Sequence, residues 1–476
     1  MEDYRGRNRD TRRRARHRRA IRNRIILTVL LLILLVVAVV LGKKFLDGDF
    51  NKKENTTFPA GTTAPAEGGD NTGESSQPET TAGAVTDQGT ALTQAAALAA
   101  SYDYDGAIDL LKSVSGYESN SEITAAISGY EETKKSLVAA DITQIPHIFF
   151  HSLIVDTDKA FGSEKADAYN QVMTTVDEFD QIMQQMYEKG YVLVKIHDMA
   201  SKQDGEMKKG TILLPAGKKP FVLSVDDVSY YEYMKGHGFA NRIVIGEDGY
   251  PTCEMDMDDG SVQTGAFDVV PRLEEFIKAH PDFSYKGARG IVALTGYDGI
   301  LGYRTAPKYG DPSSDSYKAE YASIDVDSER EKAKAVAARM EELGWEFASH
   351  SWGHKDMGQA TMEHMKTDMQ KWLDQVNPLL GGDTDILIFP KGTDIGSWRG
   401  YDDNEKYDYL ASVGFDYYCN VDSNQPWVQC TSKYLRQGRI NADGFEMYYH
   451  ADKLSQFFDA ATVFDKARPT PVKQMG

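Results

Sequence analysis

Phe221-Val222-Leu223-Ser224-Val225-Asp226-Asp227 is an apolar run that ends on two adjacent carboxylates, and Phe347-Ala348-Ser349-His350-Ser351-Trp352-Gly353-His354 answers it far downstream. Short apolar runs closed by polar residues read as buried strands. An acidic pair by itself commonly caps the next helix, and a lone His-x3-His is commonly surface. Together they carry more weight. One carboxylate and two imidazoles form an open ligand set for a divalent cation, with positions left for water and substrate, while the second carboxylate is free to move protons. His350 and His354 at i and i+4 would share a helix face, but Gly353 between them points to a tight loop.

Working outward, short apolar runs alternate with amphipathic ones. Strands are expected over 148–151, 191–196, 221–225, 291–294, 345–349 and 386–389, with helices over 176–187, 327–343 and 361–376. Strands alternating with helices imply a mostly parallel sheet, and here an α/β fold closed or nearly closed as a distorted (β/α) barrel. In such folds the chemistry sits where strands end. Asp226-Asp227, His350 and Pro390 all fall in loops leaving separate strands. Residues 241–283 read as an insertion. Its run Asp256-Met257-Asp258-Asp259-Gly260 puts Met255 and Met257 where an EF-hand needs ligands, which leaves a solvated hairpin tip.

The rest of the 476-residue chain is organised differently. Its 41% hydrophobic and 11% aromatic residues suffice for a packed core, and the net charge of -19 hides eleven arginines within residues 1–24. Residues 25–42 carry only Thr28 as a polar side chain and are followed by Lys43 and Lys44. As a helix this stretch spans about 27 Å, enough for a bilayer core, and the arginines place the N-terminus in the cytoplasm. An uncleaved signal anchor is expected, since no Ala-x-Ala site follows. The basic tail is read as a topology signal, with no nucleic-acid partner. Residues 43–90 have the composition of a flexible linker. Residues 91–141 read as a helical hairpin whose Tyr102-Asp103-Tyr104-Asp105-Gly106-Ala107 turn resembles one tetratricopeptide unit, without a second copy.

From residue 145 onward the motifs resemble those of a polysaccharide deacetylase, carbohydrate esterase family 4. Ile145-Pro146-His147-Ile148-Phe149-Phe150-His151 is similar to the opening strand of its extracellular members. Glu188-Lys189-Gly190-Tyr191 resembles the end of the helix that follows. Ser224-Val225-Asp226-Asp227 stands where the family has Thr-Phe-Asp-Asp-Gly, Ser349 to His354 matches its His-Ser/Thr-x-x-His motif, and Phe389-Pro390-Lys391-Gly392 resembles its Pro-Tyr-Gly loop. The resemblance implies Asp226 as general base and Asp227, His350 and His354 as ligands of a divalent metal, expected to be Zn2+. Pro390, Lys391 and Gly392 would form the substrate and oxyanion loop. It also implies a polysaccharide partner of the peptidoglycan or poly-N-acetylglucosamine type, acted on outside a membrane that the N-terminal helix spans.

The sequence departs from that pattern in places. Val228 replaces a glycine, Lys391 replaces a tyrosine, and Tyr434-Leu435-Arg436-Gln437-Gly438-Arg439-Ile440 resembles the final strand but lacks the histidine of the family's late Leu-x-His. His450 reads as an exposed residue at a helix start, and His147, His151 and His197 as packing residues on or near early strands. Trp398 and Trp427 are open to two readings, a sugar-stacking platform or buried indoles. Cys419 and Cys430 either pair or lie buried as thiols like Cys253. Alongside N-deacetylation stand two alternatives, an O-acetyl esterase and an inactive glycan-binding protein on the same fold. An α/β-hydrolase is not supported, because no Gly-x-Ser-x-Gly elbow is present.

Overall fold

The computed structural model describes residues 87–422 and 424–475. The basic tail, the expected membrane span and residues 43–86 of the linker lie outside them. Among the described residues no helix is long and apolar enough to cross a membrane.

These residues divide into two units, one holding 87–96 and 106–128, the other 97–105 and 129–475. The first buries Ala91, Ala95, Ala107, Ile108, Leu111, Ile123 and Ile127 on helical segments. The helices that carry these residues are Gln88–Ala100, Tyr104–Lys112 and Ser121–Lys135, so helix begins three residues before the expected hairpin.

The second unit is a closed parallel barrel. Its strands are β1 His147–Phe150, β2 Lys219–Asp226, β3 Ile291–Leu294, β4 Glu346–Ser349, β5 Ile386–Ile388, β6 Tyr417–Val421 and β7 Leu435–Asn441. Each pairs in parallel with the next, and β7 closes on β1 through Arg439 opposite His147 and Asn441 opposite Phe149. The helices that return the chain include α1 Val176–Glu188, α2 Val269–Ala279, α3 Val326–Leu343, α4 Met362–Gln375 and α5 Glu405–Ser412. Successive side chains of a strand point to opposite faces. Val222, Ile291, Ala293, Ala348, Ile386, Ile388, Tyr417, Cys419 and Leu435 accordingly share one apolar cluster. Leu223, Val225, Val292, Leu294, Phe347, Leu387 and Phe389 join the larger cluster with Phe179, Leu273, Met340, Met369 and Trp372 from α1 to α4.

The helix ends follow local chemistry. Thr175 and Glu178 form a capping box at the start of α1, Asp325 caps α3, and Gly344 closes α3 at φ 110°. A Cβ at Gly344 would stand 2.4 Å from the Gly287 carbonyl oxygen, so only glycine fits. Glu178 is also fully buried and paired with Arg468 at 2.6 Å, which fastens the C-terminal segment to α1.

One sequence expectation, the strand over 191–196, is corrected here. Tyr191–Leu193 is a short strand beside the start of β2, outside the closed ring, and helix takes over at Ile196. The barrel ring is instead completed by β6 and β7. Of the expected insertion, Arg242–Ile245, Pro251–Asp256 and Val262–Gly265 form a separate three-stranded antiparallel sheet, with 257–261 at its tip. The remainder is α2, a barrel helix that buries Val269, Val270, Leu273 and Ile277 in the main core.

Candidate metal centre

Asp226 is the last residue of β2 and Asp227 the first of the loop. Asp227 adopts φ 60°, held by its N–H on the Ala293 carbonyl at 3.1 Å and by Ser229 N–H on its own carbonyl at 2.6 Å. His350 directly follows β4, and the chain to His354 is a loop, not a helix turn. That loop is shaped from α4: Asp368 accepts from the N–H groups of Trp352 at 2.7 Å and Gly353 at 2.9 Å. A Cβ on Gly353 would come within 3.0 Å of the Asp368 carboxylate. Ser351, His354 and Lys391 also have positive φ, so backbone strain gathers around the loops that carry these groups.

One ligand atom from each of Asp227, His350 and His354 lies within 4.8 Å of the others. His354 Nε2 stands 3.7 Å from Asp227 Oδ2, and His350 Nε2 stands 3.8 Å from Asp226 Oδ2. His350 Nδ1 is 2.9 Å from the Ile388 carbonyl, which can only accept, so Nδ1 carries the proton and Nε2 presents a lone pair. Burial lowers the His350 pKa against the pull of Asp226 and Asp227, which favours the neutral ligand form. Two imidazoles and one carboxylate suit a divalent cation with an open coordination position.

Asp226 is held differently. It is 2% exposed, and its Oδ1 accepts from Arg439 Nη1 at 2.8 Å. Burial pushes its pKa up, but Arg439, His350 and His151 outweigh that and bring it down to about 2. Arg439, 1% exposed, also donates to Ser224 Oγ at 3.2 Å and lies over the Phe149 ring at 4.0 Å. Ser224 in turn bonds His147 Nε2 at 2.8 Å, and Gln437 Oε1 meets His147 Nδ1 at 3.1 Å. Burial and Arg439 keep His147 well below the ordinary histidine range, so it is a neutral core residue.

Sequence reasoning missed Arg439, because residues 434–440 resemble a final strand whose motif is carried by a histidine and not by an arginine. Alternation along β7 could have pointed to it, since Leu435, Gln437 and Arg439 share a face. His151 was read as packing. It follows β1, is partly exposed, and acts electrostatically on both Asp226 and Asp443. Val228 is fully buried in the main core, so it does not stand in the path of a substrate.

The loop after β5 is a turn over Pro390–Gly392 in which the Gly392 N–H donates to the Phe389 carbonyl at 3.0 Å. A Cβ at Gly392 would come 2.4 Å from Val421. The two tryptophans separate. Trp427 donates to Asp422 at 2.9 Å and covers Gly438 of β7, whereas Trp398 is 84% exposed on a turn whose flanking carbonyls accept from Arg436 and Gln429. His450 is tied to Glu446 at 2.9 Å, and Cys253, Cys419 and Cys430 are free thiols.

Residues 302–417 match the family model described as Polysaccharide deacetylase. That segment, about a quarter of the chain, is similar to this family. It holds His350, His354 and Pro390–Gly392, while Asp226 and Asp227 lie ahead of it and reach the site through the barrel. The chain is also similar to a Streptococcus pyogenes deacetylase, PplD, in complex with acetate, at 15% identity and a TM-score of 0.35 over 65% of this chain and 94% of that one. IcaB from Ammonifex degensii is similar at 10% identity and a TM-score of 0.33, over 68% of this chain and 98% of that one. No curated protein matches in sequence.

Proposed function

We propose that this protein is a divalent-cation-dependent hydrolase that removes acetyl groups from an N-acetylated polysaccharide of the peptidoglycan or poly-N-acetylglucosamine type. The observation that carries this reading is the convergence of Asp227, His350 and His354 within 4.8 Å beside a second, ionised carboxylate. Residues 302–417 support the substrate class through their family.

A bound cation, with Zn2+ the best fit to two imidazoles and one carboxylate, would polarise the acyl oxygen and acidify water. Asp226 takes the proton of the attacking water. Arg439 keeps it ionised, and a carboxylate of such low basicity accepts a proton only from water that has been acidified. The oxyanion falls to a main-chain donor. In the turn after β5 the Gly392 N–H is already bonded, which leaves the Lys391 N–H for that role and makes the lysine side chain immaterial to it. His151, beside Asp226 and Asp443 and at the end of the strand next to β2, supplies the proton to the leaving amine in place of the missing late histidine.

The arginines of residues 1–24 and the apolar residues 25–42 support a single-pass anchor with its N-terminus in the cytoplasm and the barrel outside. The test is acetate release from peptidoglycan, chitooligosaccharide and acetylxylan, with and without chelator. Loss on chelation and recovery with Zn2+ is expected, and activity indifferent to chelation would sink the reading. Release from acetylxylan alone would make the protein an esterase instead.

A further inference from the structure

Asp227 does not hold its orientation unaided. Its Oδ1 lies 2.5 Å from the hydroxyl of Tyr231, and Oδ2 is the oxygen that faces His354. The Tyr231 hydroxyl donates to Oδ1. The Tyr231 oxygen is 2.8 Å from Thr295 Oγ1, and Thr295 is 3.2 Å from Ser229 Oγ. Each hydroxyl has one hydrogen, and with Tyr231 committed to Asp227 the order along this chain follows: Ser229 donates to Thr295, Thr295 to Tyr231, and Tyr231 to Asp227. Ser229 and Thr295 are fully buried and Tyr231 is 4% exposed, so bulk water does not compete for these bonds.

The ring is fixed as well as the hydroxyl. Tyr231 stacks on Tyr233 at 5.4 Å and 11° and on Tyr297 at 5.1 Å and 13°. A tyrosine packed against two parallel rings cannot swing its oxygen away without breaking both stacks. This arrangement spans two elements, the loop after β2 that begins at Asp227 and the loop after β3. It converges on one carboxylate oxygen.

We propose that Tyr231 is a positioning residue that occupies Asp227 Oδ1 and so directs Oδ2 alone to a cation. This rests on the reading of Asp227, His350 and His354 as a cation site. The consequence is a ligand carboxylate that contributes one oxygen with fixed direction, held by a relay of donors that terminates on it.

The test uses the full chain, stripped with chelator and titrated with Zn2+ against a chromophoric competitor, and separately with Co2+ while its visible absorption is recorded. Tyr231→Phe keeps the ring stack and removes only the hydroxyl. Its dissociation constant for Zn2+ is expected to rise roughly 10- to 100-fold, with altered Co2+ bands and an unchanged melting temperature. Thr295→Val, which removes the donor behind Tyr231, is expected to weaken binding less and in the same direction, and it decides the matter if Tyr231→Phe does not fold. A wild-type chain that takes up one equivalent while Tyr231→Phe binds as tightly, with the same Co2+ spectrum, overturns this inference and leaves the cation site standing. A wild-type chain that takes up none overturns the cation site, and the inference with it.

Discussion

The two ends of the barrel use the same residue types for opposite purposes. At the C-terminal ends of β2 and β4, His350 commits only Nδ1 to a carbonyl and leaves Nε2 open toward carboxylates 3.8 Å or so away, on loops with positive φ at Asp227, Ser351 and His354. At the N-terminal ends of β4 and β5, His197 is bonded at both nitrogens, Nδ1 to Glu346 and Nε2 to Asp385 at 3.0 Å. Its ring packs at 4.5 Å against Tyr417, and Asp198 beside it has its pKa raised by burial. Burial would lower the His197 pKa, but Asp385 and Glu346 together carry it well above the ordinary value. An imidazole clamped at both ends is a structural cation, whereas one with a free lone pair is able to serve as a ligand. Composition does not separate the two sites; unfilled valence does.

The largest effects should follow from breaking the open end. Replacing Asp227 or His350 by Ala is expected to abolish stoichiometric metal, measured by elemental analysis, and acetate release with it. Asp226→Asn should keep the metal and lose activity by roughly 10²- to 10⁴-fold. Retained turnover in Asp226→Asn would refute the base assignment.

Next comes Arg439→Met, which strips a buried carboxylate of its counter-charge and should cost about 3–5 kcal/mol in denaturant unfolding. The sign with pH follows from Asp226. Its folded pKa of about 2 lies below the ordinary 3.8, so its stabilising contribution is complete above that value and is lost as pH falls toward 2. In Arg439→Met the pKa should rise, moving the acid limb of activity upward.

The closed end should respond in stability alone. His197 has its folded pKa raised, so its contribution is full below the ordinary histidine value and is lost as pH rises through the raised one. Melting temperature should therefore fall at alkaline pH in the wild type and less so in His197→Asn. With 38% of that side chain exposed, the cost of the substitution near neutral pH is about 1–2 kcal/mol. Acetate release per folded molecule should not change. A loss of metal in His197→Asn would break the contrast between the two ends.

The smallest change is expected from Trp398→Ala, within about 0.5 kcal/mol of wild-type stability because the indole is exposed. If the indole meets a glycan, KM rises for polymeric substrate and not for a short oligosaccharide. Equal KM values on both would remove Trp398 from the substrate path.

Legibility in the sequence tracked how local each signal was. Asp226-Asp227, His350, His354 and the Pro390 loop were readable because each closes a short apolar run, and the barrel was readable because such runs alternate with helices. The expected strand at 191–196 failed since an apolar run records burial but not which neighbour it pairs with, and Tyr191–Leu193 pairs with the start of β2 and, by one bridge, with Ser284, outside the ring. Within residues 241–283 the three strands form their own sheet while α2 packs in the barrel core, because an amphipathic helix has the same pattern whether it covers a barrel or stands apart.

The sequence by itself determined the residue types of the candidate site, their order and the strand ends that present them, for these depend on contiguous residues. Tertiary structure alone decided what each group does. Arg439 reaches Asp226 across 213 positions only because β7 closes on β1 beside β2, and Tyr231 and Thr295 meet at Asp227 only because β2 and β3 are neighbours. Those contacts set the charge of Asp226 and the direction of the Asp227 carboxylate, and no spacing along the chain encodes them.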